Sequence, residues 1–483
     1  MIFFVNKGIG HGNSGVEHAQ FYRAARFREK NIPFKLIFTD LLPKLHQHIQ
    51  EWQLAENEVI GLYDYLLHDD PYTYLREGEV NIHSYQQDIL LDDTQTQRMM
   101  RCQTTGNYQA TIYRHKKHVP EKDIYVVEDD RVILENNNHR ISWHYRDTAS
   151  RGRQMTNIHV DNFRGEYYVF NTFETLVAFF FAEIQQRYQK NIYVIDRGTE
   201  NEVALIQMKR SGQPIVLIDV VHAAHFVRFQ HGQPLWNSYY QYMLDHVHDL
   251  DVVIVSTQLQ KKAMLTHLRH IGINHVDSEI IAIPVGGVTN ISAPRRWSGG
   301  IAHFVTASRL HSEKNIDHII QAIHQLRLEG FKSTLDIYGV GSEEQSLINL
   351  VNELHLDQVI QFKGLSHQLT DTLAQYDAFV SASYSEGFGL TYLEAMAAAL
   401  PIATYANLYG AQELIHNGKN GYLANFDPHR DQISDNINHL STAMRKIFDH
   451  YDTLSLGAHQ LANNYQAEII ATQWQKVVAK YDN

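Results

Sequence analysis

The sequence predicts an α/β protein in which two Rossmann-like domains face a cleft and a β-meander is inserted in the amino-terminal half. Three observations predict it. Short apolar runs alternate with stretches of helical period twice over, once in each half of the chain. From about His68 to Phe170 the helical period gives way to short alternating runs. Between Gly286 and Gly300 periodicity is lost to Gly, Pro, Ser and Asn, as expected of a hinge. The expected domains are therefore 1–67 with 171–290, an insertion at 68–170, and 291–483.

Ile2 to Val5 reads as a buried strand, followed by N-K-G-I-G-H-G-N-S-G and a helix from Val16 to Glu29. Gly8, Gly10, Gly12 and Gly15 form a glycine loop at this strand-to-helix turn, without the regular spacing of a dinucleotide fingerprint. It is either a flexible connection or a loop across the cleft, close to diphosphate and acceptor. Phe34 to Thr39 and Val59 to Leu66 are predicted strands with a helix between them. In the insertion, strands are expected at Tyr108 to Tyr113, Ile124 to Val127, Val132 to Leu134, Ile141 to Tyr145 and Tyr167 to Phe170. Turns are expected at Asp129-Asp130, Asn136-Asn137-Asn138 and Arg164-Gly165. Such aromatic-rich strands offer edges and faces to a partner or an acceptor. A helix from Thr172 to Gln189 returns the chain to α/β, with strands at Ile192 to Asp196, Ile215 to Val221, Val252 to Ser256 and Ile280 to Val285. The second half repeats the pattern at His303 to Ala307, Thr334 to Tyr338, Val359 to Lys363, Ala378 to Ser381 and Ile402 to Tyr405.

At 483 residues the chain is too long for one core, and its 44% hydrophobic and 20% charged content is that of a globular protein. A net charge of -12 disfavours nonspecific binding to nucleic acid or anionic membranes, leaving at most peripheral membrane contact. The single cysteine, Cys102, excludes an intrachain disulfide and fits a reducing compartment. The apolar run in M-I-F-F-V-N-K-G is too short for a signal peptide, and Leu176 to Ala182 is too short for a membrane span, so a cytosolic protein is expected.

The chemistry concentrates in A-F-V-S-A-S-Y-S-E-G-F-G-L-T-Y-L-E-A-M, read as strand, glycine loop and helix. Gly387 and Gly389 let backbone approach a ligand, and the N–H groups of Gly387, Phe388, Gly389 and Leu390 at the helix start suit an anion, with Thr391 beside them. Glu386 and Glu394 bracket this turn at the carboxyl end of a parallel strand, where open α/β sheets bind ligands. An acid beside a phosphate site accepts hydrogen bonds from hydroxyls instead, so the pair suits a nucleotide sugar. Arg309 and Lys314, on a loop after the first strand of the second domain, supply a planar fork and a point charge for one diphosphate; the alternative is two solvated surface cations. Together with the helix N-terminus they can stabilise charge on a leaving phosphate without a metal. Asp249-Leu250-Asp251 has the form of a metal-binding D-x-D, but it sits at a helix-to-strand boundary. None of the 30 histidines has convincing zinc spacing, so neither metal nor cofactor is expected. His222, closing the strand P-I-V-L-I-D-V-V, either touches sugar or acceptor or is a satisfied core histidine.

The spelling E-G-F-G-L-T-Y-L-E-A resembles the E-x7-E signature of retaining glycosyltransferases with two Rossmann domains, the GT-B architecture. The resemblance implies that Glu386 meets the donor sugar, that Glu394 meets the ribose, and that Arg309 and Lys314 form the R-x4-K donor-phosphate pair. It also implies a cleft histidine at His222, and a base laid against Lys363 and Gly364 with Tyr338 and Gly339 nearby. The last helical run, Gln466 to Tyr481, would then pack back on the first domain. G-I-G-x-x-x-S-G-V-E-x-A-Q-x-Y-R, the insertion, V-V-H-A-x-H, I-P-V-G and S-E-G-F-G-L-T together are similar to the catalytic A subunits of the accessory-Sec glycosyltransferases. Those enzymes attach N-acetylglucosamine to Ser and Thr of serine-rich adhesins before export. His11 stands where an aromatic is expected, and Ala224 where an acid is expected. UDP-glucose as donor, a teichoic acid acceptor and a noncatalytic acceptor-binding subunit are the competing readings. A homo-oligomer or a complex with a second glycosyltransferase-like subunit, formed through the insertion, is expected.

Overall fold

A computed structural model describes residues 1–481, apart from 92–96, 121–122, 149–151, 189, 275, 277, 367–368 and 429–431. Two parallel sheets carry the architecture. The first has seven strands in the order Glu279–Ala282, Val252–Val255, Ile215–Val221, Asn191–Ile195, Ile2–Asn6, Phe34–Phe38 and Val59–Gly61. The second has six, in the order Ile360–Gly364, Ser333–Tyr338, Ala302–Ala307, Ala378–Ser381, Ile402–Tyr405 and Gly421–Ala424. Ile2–Asn6, Phe34–Phe38 and Asn191–Ile195 are buried along their whole length, because helices cover both faces of such a sheet and their continuous apolar spelling has no wet side. In each sheet the strand order turns back beside the first strand, which opens a crevice at the carboxyl ends of the strands. The two crevices face each other, and the protein has the GT-B fold.

Val59 to Leu66 is not one strand. The strand stops at Gly61, and Leu62–Leu67 turns into a helix that is buried on every side. A fully buried helix has no polar stripe, so its short apolar run reads like a strand. The helix predicted from Thr172 to Gln189 spans Phe173–Arg187, and Gln189 lies outside the described residues.

The insertion is a seven-stranded antiparallel meander with consecutive strands adjacent, from Gln86–Leu91 to Glu166–Phe170. Asp129-Asp130 makes no turn. Ile124–Glu135 is one strand of 12 residues, and the register jumps from Tyr113 opposite Arg131 to Arg114 opposite Asp129. Asp130 is the extra residue of a bulge, which keeps the strand in the sheet while releasing two adjacent acids from the alternation. Tyr63 stacks on Trp143 at 5.5 Å and Tyr65 meets Phe163 at 5.7 Å, so the meander shares one apolar core with the first Rossmann sheet.

The last helix, Ala467–Ala479, crosses back to the first domain, where Trp474 meets Phe27 at 6.4 Å and Arg23 lies 4.9 Å over the Trp474 ring. Just before it, Val288 of the first crossing and Gln466 of the second form a parallel bridge. Val288 N–H donates to Tyr465 O at 3.0 Å, and Ala467 N–H donates to Val288 O at 2.9 Å. Glu413 ties the halves together near the cleft, accepting from Gln258 N–H and Leu259 N–H at 3.0 and 3.1 Å. These are N–H groups of the first turn of helix Gln258–His270, where a carboxylate satisfies free donors and complements the helix dipole.

Candidate active site

The cleft between the two sheets encloses about 1620 Å³. On its carboxyl-terminal side the buried strand Ala378–Ser381 feeds a loop that ends at Gly389, whose φ of 86° is left-handed, and helix Leu390–Ala397 begins at the next residue. Gly387 cannot carry a side chain, since a Cβ would lie 2.3 Å from His222 O on the opposite wall. This close approach is why glycine stands next to the acid. The N–H groups of Gly387, Phe388, Gly389, Leu390 and Thr391 have no backbone partner among the described residues, and all five residues line the cleft.

Glu386 is pinned by its backbone, donating to Leu408 O at 3.4 Å and accepting from Gly410 N–H at 3.1 Å. Its Oε1 lies 2.6 Å from Lys314 Nζ. Lys314 ends a short helical turn, Ser312–Lys314, and the left-handed Asn315 that follows donates to Ala382 O at 2.9 Å, which locks the two loops together. Arg309 also lines the cleft, but it faces Glu313 at 3.2 Å in an exposed ion pair and does not converge with Lys314. Exposed pairs of this kind contribute about 0.2–1 kcal/mol, so the guanidinium is free to turn to a diphosphate.

Glu394 lies deeper. Tyr22 of the first domain donates to its Oε1 at 3.2 Å across the cleft. Burial pushes the Glu394 carboxyl up to about 7, with the Tyr22 hydrogen bond pulling it partly back. On the amino-terminal wall, His222 Nε2 contacts Asp196 Oδ1 at 2.9 Å. Asp196 also accepts from Gln20 Nε2 at 3.0 Å and pairs with Arg23. Burial alone would raise the Asp196 carboxyl, but Arg23 and His222 together hold it below the usual carboxylate range.

Tyr338 and Gly339 line the cleft, whereas Lys363 and Gly364 lie outside it. Lys363 is engaged by Asp336 at 3.2 Å, and Gly364 reaches the site only through its carbonyl, which accepts from Gly339 N–H at 2.8 Å. Of the amino-terminal glycines, Gly12 and Gly15 line the cleft while Gly8 packs on Leu42 and Gly10 accepts from Trp52 Nε1 at 2.9 Å. The loop is tight because Ser14 and Glu17 form a capping box for helix Gly15–Glu29, and it reaches the ligand space through Lys7 and through His11 to Gly15. Asp249 and Asp251 are engaged by Arg210 and Lys209, at 2.7 and 2.6 Å. Tyr22 and Asp196 escape the sequence reading. Tyr22 stands within the G-V-E-x-A-Q-x-Y-R motif, yet nothing local shows that it points at a residue 372 positions away.

Residues 289–447 match the model of the family described as Glycosyl transferases group 1. The GtfA subunit of a UDP-N-acetylglucosamine–peptide N-acetylglucosaminyltransferase from Streptococcus gordonii is 28% identical, over 99% of this chain and 98% of the relative. The pneumococcal O-GlcNAc transferase GtfA, solved with UDP and GlcNAc, superposes with a TM-score of 0.75 at 23% identity, over 99% of this chain and 98% of that one. A chain of the GtfA/B complex gives 0.73 at 25% identity, over 99% of both. The protein thus has the GT-B fold of glycosyltransferases, matches the group 1 model in its second half, and is similar from end to end to the GtfA subunits.

Proposed function

We propose that this chain is a retaining, metal-independent transferase that moves N-acetylglucosamine from UDP-N-acetylglucosamine to Ser and Thr hydroxyls of a serine-rich adhesin in the cytoplasm, before export. One observation carries this: Glu386 in contact with Lys314 and Glu394 bonded to Tyr22 line one cleft, on either side of a stretch of N–H groups, without backbone partners among the described residues, that suits a diphosphate. End-to-end similarity to the GtfA subunits supports N-acetylglucosamine over glucose, and a polypeptide acceptor over a teichoic acid. A noncatalytic subunit would have no use for Glu386, Lys314, Arg309 and Glu394 together.

Glu394 accepts from the ribose hydroxyls and Glu386 from the sugar. The bond from the anomeric carbon to the β-phosphate oxygen breaks, and its electron pair leaves with UDP. The acceptor hydroxyl bonds to the same face of that carbon and passes its proton to the departing phosphate. Lys314, Arg309 and the N–H groups at Gly387 to Leu390 meet the charge that develops on UDP, a role that a divalent cation fills elsewhere. His222, held by Asp196, faces the sugar or the acceptor. The insertion receives a second glycosyltransferase-like subunit or another copy of the chain. No described helix is long and apolar enough to cross a membrane.

The test incubates the purified protein with UDP-N-acetylglucosamine or UDP-glucose, a serine-rich fragment and excess EDTA, and weighs the fragment. Addition of N-acetylhexosamine in EDTA is expected. Transfer of hexose alone, or turnover that returns only with Mg2+ or Mn2+, overturns the corresponding part of the proposal.

A further inference from the structure

Two acids on the amino-terminal wall are used by nothing described above. Asp219 lies on strand Ile215–Val221, paired in register with Ile195, and Glu202 lies in the first turn of helix Thr199–Arg210. Both line the cleft, and they are only 3% and 4% exposed. Asp219 Oδ2 and Glu202 Oε2 are buried without a hydrogen-bond partner among the described residues. Among the described residues no cation is paired with either acid. Lys7 is drawn to Asp40 and Glu200, and Arg23 to Asp196. Burial, reinforced by Glu202 and Asp196, raises the Asp219 carboxyl well above its ordinary range; burial, reinforced by Glu200, pushes Glu202 up to about 8. Buried polar atoms are paired as a rule, and two orphaned acids in one cavity wall call for a reason.

A second, independent observation lies beside them. His222 presents Nε2 to Asp196, while its Nδ1 is buried without a partner and its side chain is 5% exposed. Tyr240, which also lines the cleft, accepts from His222 N–H and Ala223 N–H at 3.0 and 2.9 Å. Its oxygen is occupied and its own proton remains to be donated. The wall therefore offers carboxyl oxygens that accept, the Tyr240 proton that donates, and a further proton on each carboxyl that burial keeps neutral. An ammonium or guanidinium group only donates, whereas a hydroxyl donates and accepts. Placing a full cation here would also strip its hydration in a buried pocket.

We infer that Asp219, Glu202 and Tyr240, beside His222, form a subsite that holds a hydroxyl-bearing side chain of the acceptor polypeptide. The inference rests on the transferase reading above and assigns the acceptor to this wall. These residues position the acceptor and take no part in breaking the bond to UDP. Asp219 and Glu202 meet substrate through the small part of each that opens on the cleft, and the acids serve binding.

The test uses Asp219→Asn and Glu202→Gln in the full chain, with a serine- and threonine-rich peptide, the same peptide carrying added lysines, and UDP. Both variants are expected to raise the KM for either peptide about tenfold, the scale of one hydrogen bond, while the Kd for UDP moves less than twofold. Their melting temperature should hold or rise, because each substitution replaces a buried acid, whose charged form burial penalises, by a neutral amide. A merely structural role predicts the opposite shift. Unchanged KM in folded variants overturns the inference, as does a KM increase confined to the lysine-bearing peptide, or a fall in UDP affinity matching the loss of acceptor. If the wild-type protein binds UDP but leaves the peptide unmodified, the transferase reading fails and takes this inference with it. Modification by the wild type with unmoved variants sinks the subsite alone.

Discussion

Replacing Glu386 or Glu394 by glutamine removes one charge in either case, yet the two substitutions act on different quantities. On the proposed placement of the donor, Glu386 would face a sugar that changes charge on the way to the transition state, and Glu394 a ribose that does not react. Glu386→Gln should lower kcat by about 10² or more. Glu394→Gln should raise the donor KM roughly tenfold, the loss of one charged hydrogen bond of ~1.5 kcal/mol, with kcat nearly intact. Steady-state kinetics on both variants check this, and the reverse pattern would exchange the two roles. Glu394 also predicts a pH dependence. Burial pushes its carboxyl up to about 7, and ribose hydroxyls would donate best to the carboxylate, so acid must compete with the donor. Affinity for UDP-N-acetylglucosamine should fall about tenfold from pH 8 to pH 6, and Glu394→Gln should flatten the profile. Calorimetry across that range reads it, and a flat wild-type profile contradicts it. The spacings of Glu386 with Glu394 and of Arg309 with Lys314 are legible in the sequence because each pair sits on one loop and the turn after it. The contact of Glu386 with Lys314, across 72 positions, is a product of the sheet order, and no local pattern contains it.

The insertion shows what alternation can and cannot reveal in a strand. Its existence and its β character are legible, since apolar residues recur at every second position wherever one face meets the core, as at Ala110 and Ile112 or Ile141 and Trp143. The bulge at Asp130 is not, because two adjacent acids spell a turn unless a partner strand holds them in register. Nor is its attachment. A meander that shares Trp143 and Phe163 with Tyr63 and Tyr65 cannot be excised without opening the core of the first domain. Its function is better tested on the surface. Ile124, Tyr125, Val126 and Val127 are all exposed in succession, and Tyr125, 68% exposed, meets the His118 ring of the neighbouring strand at 4.8 Å. A Tyr125→Asp, Val127→Asp double variant should weaken association with a second subunit or copy by tenfold or more, while UDP affinity stays within twofold. Analytical ultracentrifugation of the protein alone and with a second glycosyltransferase-like subunit measures it, and unchanged association sends the interface elsewhere.

Two Rossmann sheets and the gap between them are visible in the sequence because parallel strands buried on both faces repeat as plain apolar runs. Their facing is not visible. It depends on contacts such as Tyr22 with Glu394 and Glu413 with the helix at Gln258, between residues that carry no joint pattern. The return of the last helix was expected from resemblance, and its cost of removal can be stated. Trp474 is buried against Phe27 and Arg23, so Trp474→Ala should destabilise the protein by about 3–5 kcal/mol, read by denaturant unfolding. A change below 1 kcal/mol would mean that the helix is not part of the first domain. Because that helix returns, the chain passes between the domains twice, and the two passes are hydrogen-bonded to each other at Val288 and Gln466. A single linker behaves as a swivel, free to twist and to bend. Two linkers fastened side by side behave as a door hinge: they leave one axis of swing and resist rotation about the others, so any closure about that axis would bring Glu386 on one leaf and His222 on the other to the same alignment.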